Sequence, residues 1–446
     1  MAKRPSRRTG TGTGRGRGKG PSGKGRGKGR GTGRSSAPGR KRAKGGSSKG
    51  YGKGRAKASG GKGRGGGAPT RGRGKGFGKK GASARGRAEV SAPELTVRSR
   101  FHFAEVVPGF ERVAEAEVRE ACGAEGIERW RGRVVWDPAG PARDLLELRC
   151  TEDVFAGVCL LTGVGRSRFS LGSLYRAVVD SQLEWAVSAY RECHPGAKGH
   201  RIRFRVIALM AGRRNFVRSD LTAAVERALV DRSSGRWVPV PEDGMELWVD
   251  LWRDRCLVGL RLSTERMRQR EGRSVELPAA LRPSAAACLV RMSGVAPGQV
   301  FLDPCCGSGT ILSERLALGD GAKLIGTDID PDAVVAARLN VGRRAALIVR
   351  ADASRLPLPD GCVDAACANL PFGQKVQVSV NLPTMYAGVA RELSRVLKRG
   401  ARAALLVGDP ADLAPGLERR SWRLIGSPTN VNILGRRASA VLLERK

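Results

Sequence analysis

The C-terminal part of this chain predicts a doubly wound α/β domain with a mostly parallel, seven-stranded sheet, preceded by a compact α+β module and a disordered basic tail. Three observations lead there. Composition changes abruptly at Glu89, the first acidic residue. From Val300 onward, apolar strand-like runs alternate regularly with helix-like segments. Two polar turns, Asp303-Pro304-Cys305-Cys306-Gly307-Ser308-Gly309-Thr310 and Asn369-Leu370-Pro371-Phe372-Gly373, each follow such a run. These changes divide the chain into residues 1–95, 96–270 and 271–446.

Residues 1–88 hold 29 of the 81 Lys and Arg and none of the 42 acidic residues, so the rest of the chain carries 52 basic against 42 acidic side chains. The tail is Gly, Arg, Lys and Ser with almost no aliphatic residue, too little apolar surface to offset chain entropy, and disorder is expected. Dense cationic charge suits a non-specific nucleic-acid arm through counterion release. Tyr51 and Phe77 are its only aromatics, too few for a stacking platform. No apolar run is long enough for a membrane span, and the expected compartment is the cytoplasm. Ten cysteines form no C-x-x-C pair, so free thiols are expected and no metal is assigned.

In the α+β module, Phe101 to Val107 alternates as a strand and Pro108-Gly109 makes a turn into a helix from Phe110 to Cys122. Arg131 to Trp136 reads as a strand, Ala142 to Arg149 as a helix, and Leu171 to Tyr190 as one long helix. Arg201, Arg203 and Arg205 alternate with Ile202, Phe204 and Val206, a half-buried strand with a basic face. With Arg213, Arg214 and Arg218 that face suits an RNA backbone. A helix from Asp220 to Val230 and a hairpin, Met245 to Trp252 with Arg255 to Leu262, complete the module.

After the basic bridge (Arg266, Arg268, Arg270, Arg273), strands are expected at Val300–Leu302, Lys323–Thr327, Ala346–Arg350, Val363–Ala368, Ala401–Val407, Trp422–Gly426 and Ala438–Glu444. Between them lie helices at Ser308–Leu318, Pro331–Asn340 and Thr384–Lys398, the last closed by Gly400. In such a sheet, ligands bind at the carboxyl ends of the strands.

Three acids fall there: Asp303 and Asp328 end the first two strands, and Asp352 follows the third. Singly, each would be an ordinary helix cap or turn former. Beside a loop carrying Gly307 and Gly309, they suit a nucleoside-bearing ligand that is cationic, since Asp303 would repel a pyrophosphate. S-adenosylmethionine meets that description, with Asp328 on the ribose and Asp352 at the adenine amine. The loop is not a G-x-G-x-x-G dinucleotide fingerprint.

The second turn suits a planar amine. The lone pair of an exocyclic amine on a purine is delocalised into the ring. The Asn369 side-chain oxygen and the Leu370 carbonyl would hold the amine protons, and Phe372 would stack on the base. No strong base is needed, which agrees with three scattered histidines.

From Leu281 on, the chain resembles the Rossmann-like methyltransferases that modify amines. D-P-C-C-G-S-G-T is similar to their cofactor loop and N-L-P-F-G to their N-P-P-Y type motif. From Phe101 on it resembles the THUMP-domain RNA guanine-N2 methyltransferases, through F-H-F-A-E-V-V-P-G-F-E, V-G-L-R-L-S at Val258–Ser263 and L-R-P-S at Leu281–Ser284. The resemblance implies a ferredoxin-like plus THUMP module that grips the acceptor end of tRNA. It also implies S-adenosylmethionine as methyl donor, and the N2 amine of guanosine at position 6 as target. Pro304, Gly307, Gly309 and Thr310 would then join Asp303, Asp328 and Asp352 around the cofactor, with Asn369, Leu370, Pro371 and Phe372 at the base. Leu370 stands where the general motif has proline, which implies a less rigid backbone there. Alternative readings are guanine-N2 transfer on ribosomal RNA, adenine-N6 transfer, or an inactive RNA-binding assembly factor.

Overall fold

The computed structural model describes residues 95–197, 199–270, 274–342, 345–372 and 381–446. The basic tail, Arg273 and Gly373 lie outside the described residues. Among those described, no helix is long and apolar enough to cross a membrane.

The N-terminal part forms one sheet of nine strands: β1 (Thr96–Arg98), β2 (Phe101–Glu105), β3 (Glu128–Trp130), β4 (Arg133–Trp136), β5 (Asp153–Thr162), β6 (Ile202–Ala211), β7 (Trp237–Pro239), β8 (Met245–Trp252) and β9 (Arg255–Arg261). Their order is β3-β4-β2-β5-β9-β8-β6-β7, with β1 also paired to β5. Its central strand, β5, is buried along nearly its whole length. Sequence reading left it unassigned because V-F-A-G-V-C-L-L has apolar residues facing both ways and no alternation. Two glycines make room for rings in this sheet. A Cβ on Gly157 would come within 2.3 Å of Phe101, and one on Gly259 within 2.2 Å of Phe103.

Several expected elements differ. The single helix at Leu171–Tyr190 is two, Phe169–Val179 and Leu183–Cys193, separated at Asp180–Gln182. Ala142–Glu147 is a 3-10 helix. The basic face of β6 is only partly free, because Glu246 on β8 takes both Arg205 and Arg261. Arg214 is spent on the Val164 and Gly165 carbonyls, while Arg203, Arg213 and Arg218 remain exposed.

The C-terminal sheet contains β10 (Val300–Asp303), β11 (Lys323–Asp328), β12 (Ala346–Arg350), β13 (Val363–Asn369), β14 (Leu397–Val407), β15 (Trp422–Leu424), β16 (Thr429–Ile433) and β17 (Arg436–Arg445). The order is β12-β11-β10-β13-β14-β17-β15, with β16 on β17 as well. β10 to β14 are parallel and β17 is antiparallel to β14. The sheet is seven positions wide, yet it has eight strands. β15 and β16 pair end to end along β17, at Leu443–Arg445 and Arg436–Ala440. Gly426-Ser427-Pro428 interrupts this edge where proline cannot donate to the ladder. The helix before β14 ends at Val396, earlier than expected. Gly400, expected to stop that helix, instead lies within β14 at φ +77°, beside a register shift.

The two sheets share a continuous core. Helix Pro283–Met292 is buried at eight of its ten positions. Three ionic contacts cross beside it: Arg282 grips both oxygens of Glu152 at 2.7 Å, Arg291 meets Glu120, and Arg149 with Arg270 converges on Glu314. The β16 edge is anchored too, since the Asn432 amide donates to the Pro108 carbonyl at 2.9 Å.

Candidate active site

Strand pairing brings the two polar turns to one end of the sheet. β10 and β13 are parallel neighbours, so Asp303 and Asn369 both emerge at the carboxyl ends of adjacent strands, Asn369 two positions further along. The turn after β10 is fixed locally. The Cys305 amide donates to Asp303 at 3.2 Å, the Thr327 hydroxyl to the Pro304 carbonyl at 2.9 Å, and the Cys306 amide to the Thr327 carbonyl at 2.9 Å. Gly307 sits at φ +51°, and the space where a side chain would stand is open.

Asp303 is only 1% exposed, and its second carboxylate oxygen is buried without a partner. Burial pushes its carboxyl well above the usual range, and the neighbouring Asp328 adds to the effect. An unpaired buried carboxylate is unfavourable unless a cation joins it. Burial also raises the Cys305 thiol, and the fields of Asp303, Asp328 and Asp352 all push it further. The three acids therefore all lie in the neighbourhood of Cys305. Asp328 accepts from the Gly307 amide at 2.8 Å and so holds the loop; Asp352 is exposed and closes a turn with Ser354 at 2.8 Å.

Two predicted cofactor residues also have packing roles. Gly309, at φ +81°, leaves room for helix Pro331–Val341: a Cβ there would come within 2.7 Å of Val341 and 3.3 Å of Ala337. Thr310 is buried as the first residue of helix Thr310–Leu316.

At the second turn, the Asn369 side-chain oxygen is buried without a partner, poised to accept. The reduced rigidity expected from Leu370 is made good in two ways. Its side chain is 1% exposed, and its amide donates to the Leu406 carbonyl at 3.0 Å, a bond that proline could not form. The three histidines all lie in the N-terminal part; His102 is buried and held neutral, its pKa lowered to about 4. Among the described residues, no cluster of His, Cys, Asp and Glu could hold a metal.

Sequence reading missed Asn340, whose side chain accepts from the Ser274 and Val275 amides and donates to the Val275 and Ser308 carbonyls, all within 3.0 Å. One amide thus ties the glycine loop to the segment arriving from the N-terminal part. It also missed Tyr386, whose hydroxyl donates to the Pro371 carbonyl at 2.8 Å. Both are helix residues, and helical spacing marks only burial.

Sheet order, glycine loop and paired strand-end acids define a Rossmann-like methyltransferase, and residues 270–438 match the UPF0020 family, described as an RMKL-like methyltransferase domain. The tRNA (guanine(6)-N2)-methyltransferase of Thermus thermophilus is 30% identical over 335 residues, 71% of this chain and 93% of that protein. This chain belongs to the same family of guanine-N2 methyltransferases. The crystal structure of TrmN from Thermus thermophilus superposes with a TM-score of 0.64 at 26% identity, covering 79% of this chain and all of that one. The human tRNA (guanine(6)-N(2))-methyltransferase THUMP3 is 26% identical over 266 residues; the match covers 55% of this chain and about half (51%) of that protein.

Proposed function

We propose that this chain methylates the exocyclic N2 amine of a guanosine in tRNA, at position 6 of the acceptor stem, with S-adenosylmethionine as donor. The observation that carries the reading is the pair of buried, unpartnered oxygens on Asp303 and Asn369 at adjacent strand ends. One wants a cation and the other a proton donor, which are what a sulfonium-bearing amino acid and an aromatic amine bring. No atom stands within 4 Å of where a Gly307 Cβ would be, so a ligand can approach the backbone closely there. Bound there, S-adenosylmethionine supplies a methyl group activated by its positive sulfur.

In this reading Asp303 holds positive charge, Asp328 meets the ribose and Asp352 the adenine. Asn369 Oδ1 and the Leu370 carbonyl accept the two N2 protons and turn the lone pair toward the donor. Phe372 stacks on the base, a contact worth about 1–3 kcal/mol. After transfer, N2 keeps one proton and releases the other to water. The N-terminal sheet, with exposed Arg203, Arg213 and Arg218, is our candidate RNA-binding module. The tail adds non-specific attraction. All ten cysteines are free, as suits the cytoplasmic setting we propose.

The test is incubation with methyl-labelled S-adenosylmethionine and separate tRNA and ribosomal RNA pools, with mass spectrometry of the digested RNA. Label as N2-methylguanosine in tRNA is expected. Label confined to ribosomal RNA, or on adenine, would overturn the substrate. Asn369→Ala should lower transfer by about 100-fold or more while cofactor affinity stays within about twofold.

A further inference from the structure

Tyr386 lies in helix Leu382–Val396 and is fully buried, yet its hydroxyl reaches the turn beyond a strand end. It donates to the Pro371 carbonyl at 2.8 Å, just beyond β13. Gly408, just beyond β14, packs directly against Phe372: a Cβ at Gly408 would come within 2.9 Å of the Phe372 Cβ. The turn is thus held on both sides of the Leu370 carbonyl, by Leu370 N–H to Leu406 before it and by the Tyr386 hydroxyl after it. Burial holds the phenol proton in place, with a pKa of about 12, so the hydroxyl stays a donor across the working pH range.

We infer that Tyr386 is a positioning residue for methyl transfer, its hydroxyl holding the Pro371 carbonyl while Gly408 seats Phe372, so that the Leu370 carbonyl and the Phe372 ring are fixed where the target amine and base must lie. Tyr386 itself does not touch the base and exchanges no proton with it. The inference rests on the catalytic role proposed for the Asn369–Phe372 turn, though not on which RNA is the substrate.

The experiment compares Tyr386→Phe, which keeps the ring and removes the hydrogen bond to Pro371, with Tyr386→Leu and Gly408→Ala. Single-turnover methyl transfer is read in whichever RNA pool the unaltered protein labels, alongside cofactor affinity and thermal melting. Tyr386→Phe should lower the transfer rate about tenfold at saturating RNA, with cofactor affinity within about twofold. Amide exchange at Leu370 and Phe372 should quicken. Gly408→Ala keeps the hydroxyl but displaces Phe372, and should lower the rate similarly; it also gives the answer if Tyr386→Phe folds poorly. A Tyr386→Phe protein with the full rate, only Tyr386→Leu being impaired, would overturn the role of the hydroxyl and leave ring packing alone. An unimpaired Gly408→Ala would equally overturn the seating of Phe372. The substrate assignment fails separately, by where the unaltered protein puts its label.

Discussion

The Leu370 amide donates to the Leu406 carbonyl at 3.0 Å, and this bond carries the parallel pairing of β13 and β14 one residue past Asn369 into the Leu370–Phe372 turn. The wider motif has proline at this position and gains rigidity from the ring. Here a strand hydrogen bond and a buried leucine do that work. Leu370→Pro should therefore impair this chain, although it restores the commoner motif. The lost hydrogen bond and the smaller buried side chain together should lower stability by about 2–4 kcal/mol in urea unfolding, and methyl transfer should fall with it. A variant as stable and active as the parent would show that the turn is held elsewhere.

With Asp303 in the proposed cofactor site, its raised carboxyl should make cofactor binding depend on pH in a defined direction. Its folded pKa lies above the ordinary carboxylate value because of burial, with Asp328 adding to the effect. The folded state therefore gains from protonated Asp303 below the unfolded pKa, and loses that gain as pH rises through the folded pKa. At neutral pH the ionised group should destabilise the ligand-free protein, and a cation should relieve it. Asp303→Asn should raise the melting temperature of the ligand-free protein at pH 7. It should weaken S-adenosylmethionine binding by about 10- to 100-fold, and flatten the fall in affinity otherwise seen on acidification. Calorimetry across pH 5–8 checks both; an unchanged affinity would remove Asp303 from the cofactor site.

Glu314, one turn into the helix that follows the glycine loop, is 2% exposed and meets Arg149 at 2.8 Å and Arg270 at 3.4 Å, both from the N-terminal part. Glu314→Ala would leave two half-buried guanidinium groups without their partner. The expected loss is about 3 kcal/mol in chemical unfolding, with Glu314→Gln falling between. Because this helix begins at the glycine loop proposed to hold the cofactor, cofactor affinity should weaken along with stability.

Charge alone predicts the tail's effect. Removing residues 1–88 removes 29 basic and no acidic side chains. RNA affinity should then fall by about tenfold or more at low salt, and much less at physiological salt, with a shallower dependence of log affinity on log salt. Equal affinities and equal slopes for full-length and truncated protein would exclude the tail as an RNA arm. The methyl-transfer rate at saturating RNA should be unchanged.

Strand ends were the most legible part of the site. Asp303, Asp328 and Asn369 each close an apolar run, and a parallel sheet brings such positions together whatever the side chains behind them. β5 was not legible, since a strand buried on both faces has no period to read. The division of labour within the loop was hidden as well: Gly307 faces open space while Gly309 makes room for Val341, yet both are written as glycine.

By itself, the sequence determined the local chemistry: an acidic glycine loop, an amide turn with an aromatic ring, and a tail of uncompensated positive charge. These are properties of neighbouring residues, and short-range geometry suffices to express them. Only the tertiary structure decided what holds that chemistry still. Tyr386 reaches Pro371 across 15 positions, Asn340 reaches Val275 across 65, and Arg149 reaches Glu314 across 165. Such contacts depend on which helix packs over which strand end, which no local pattern encodes.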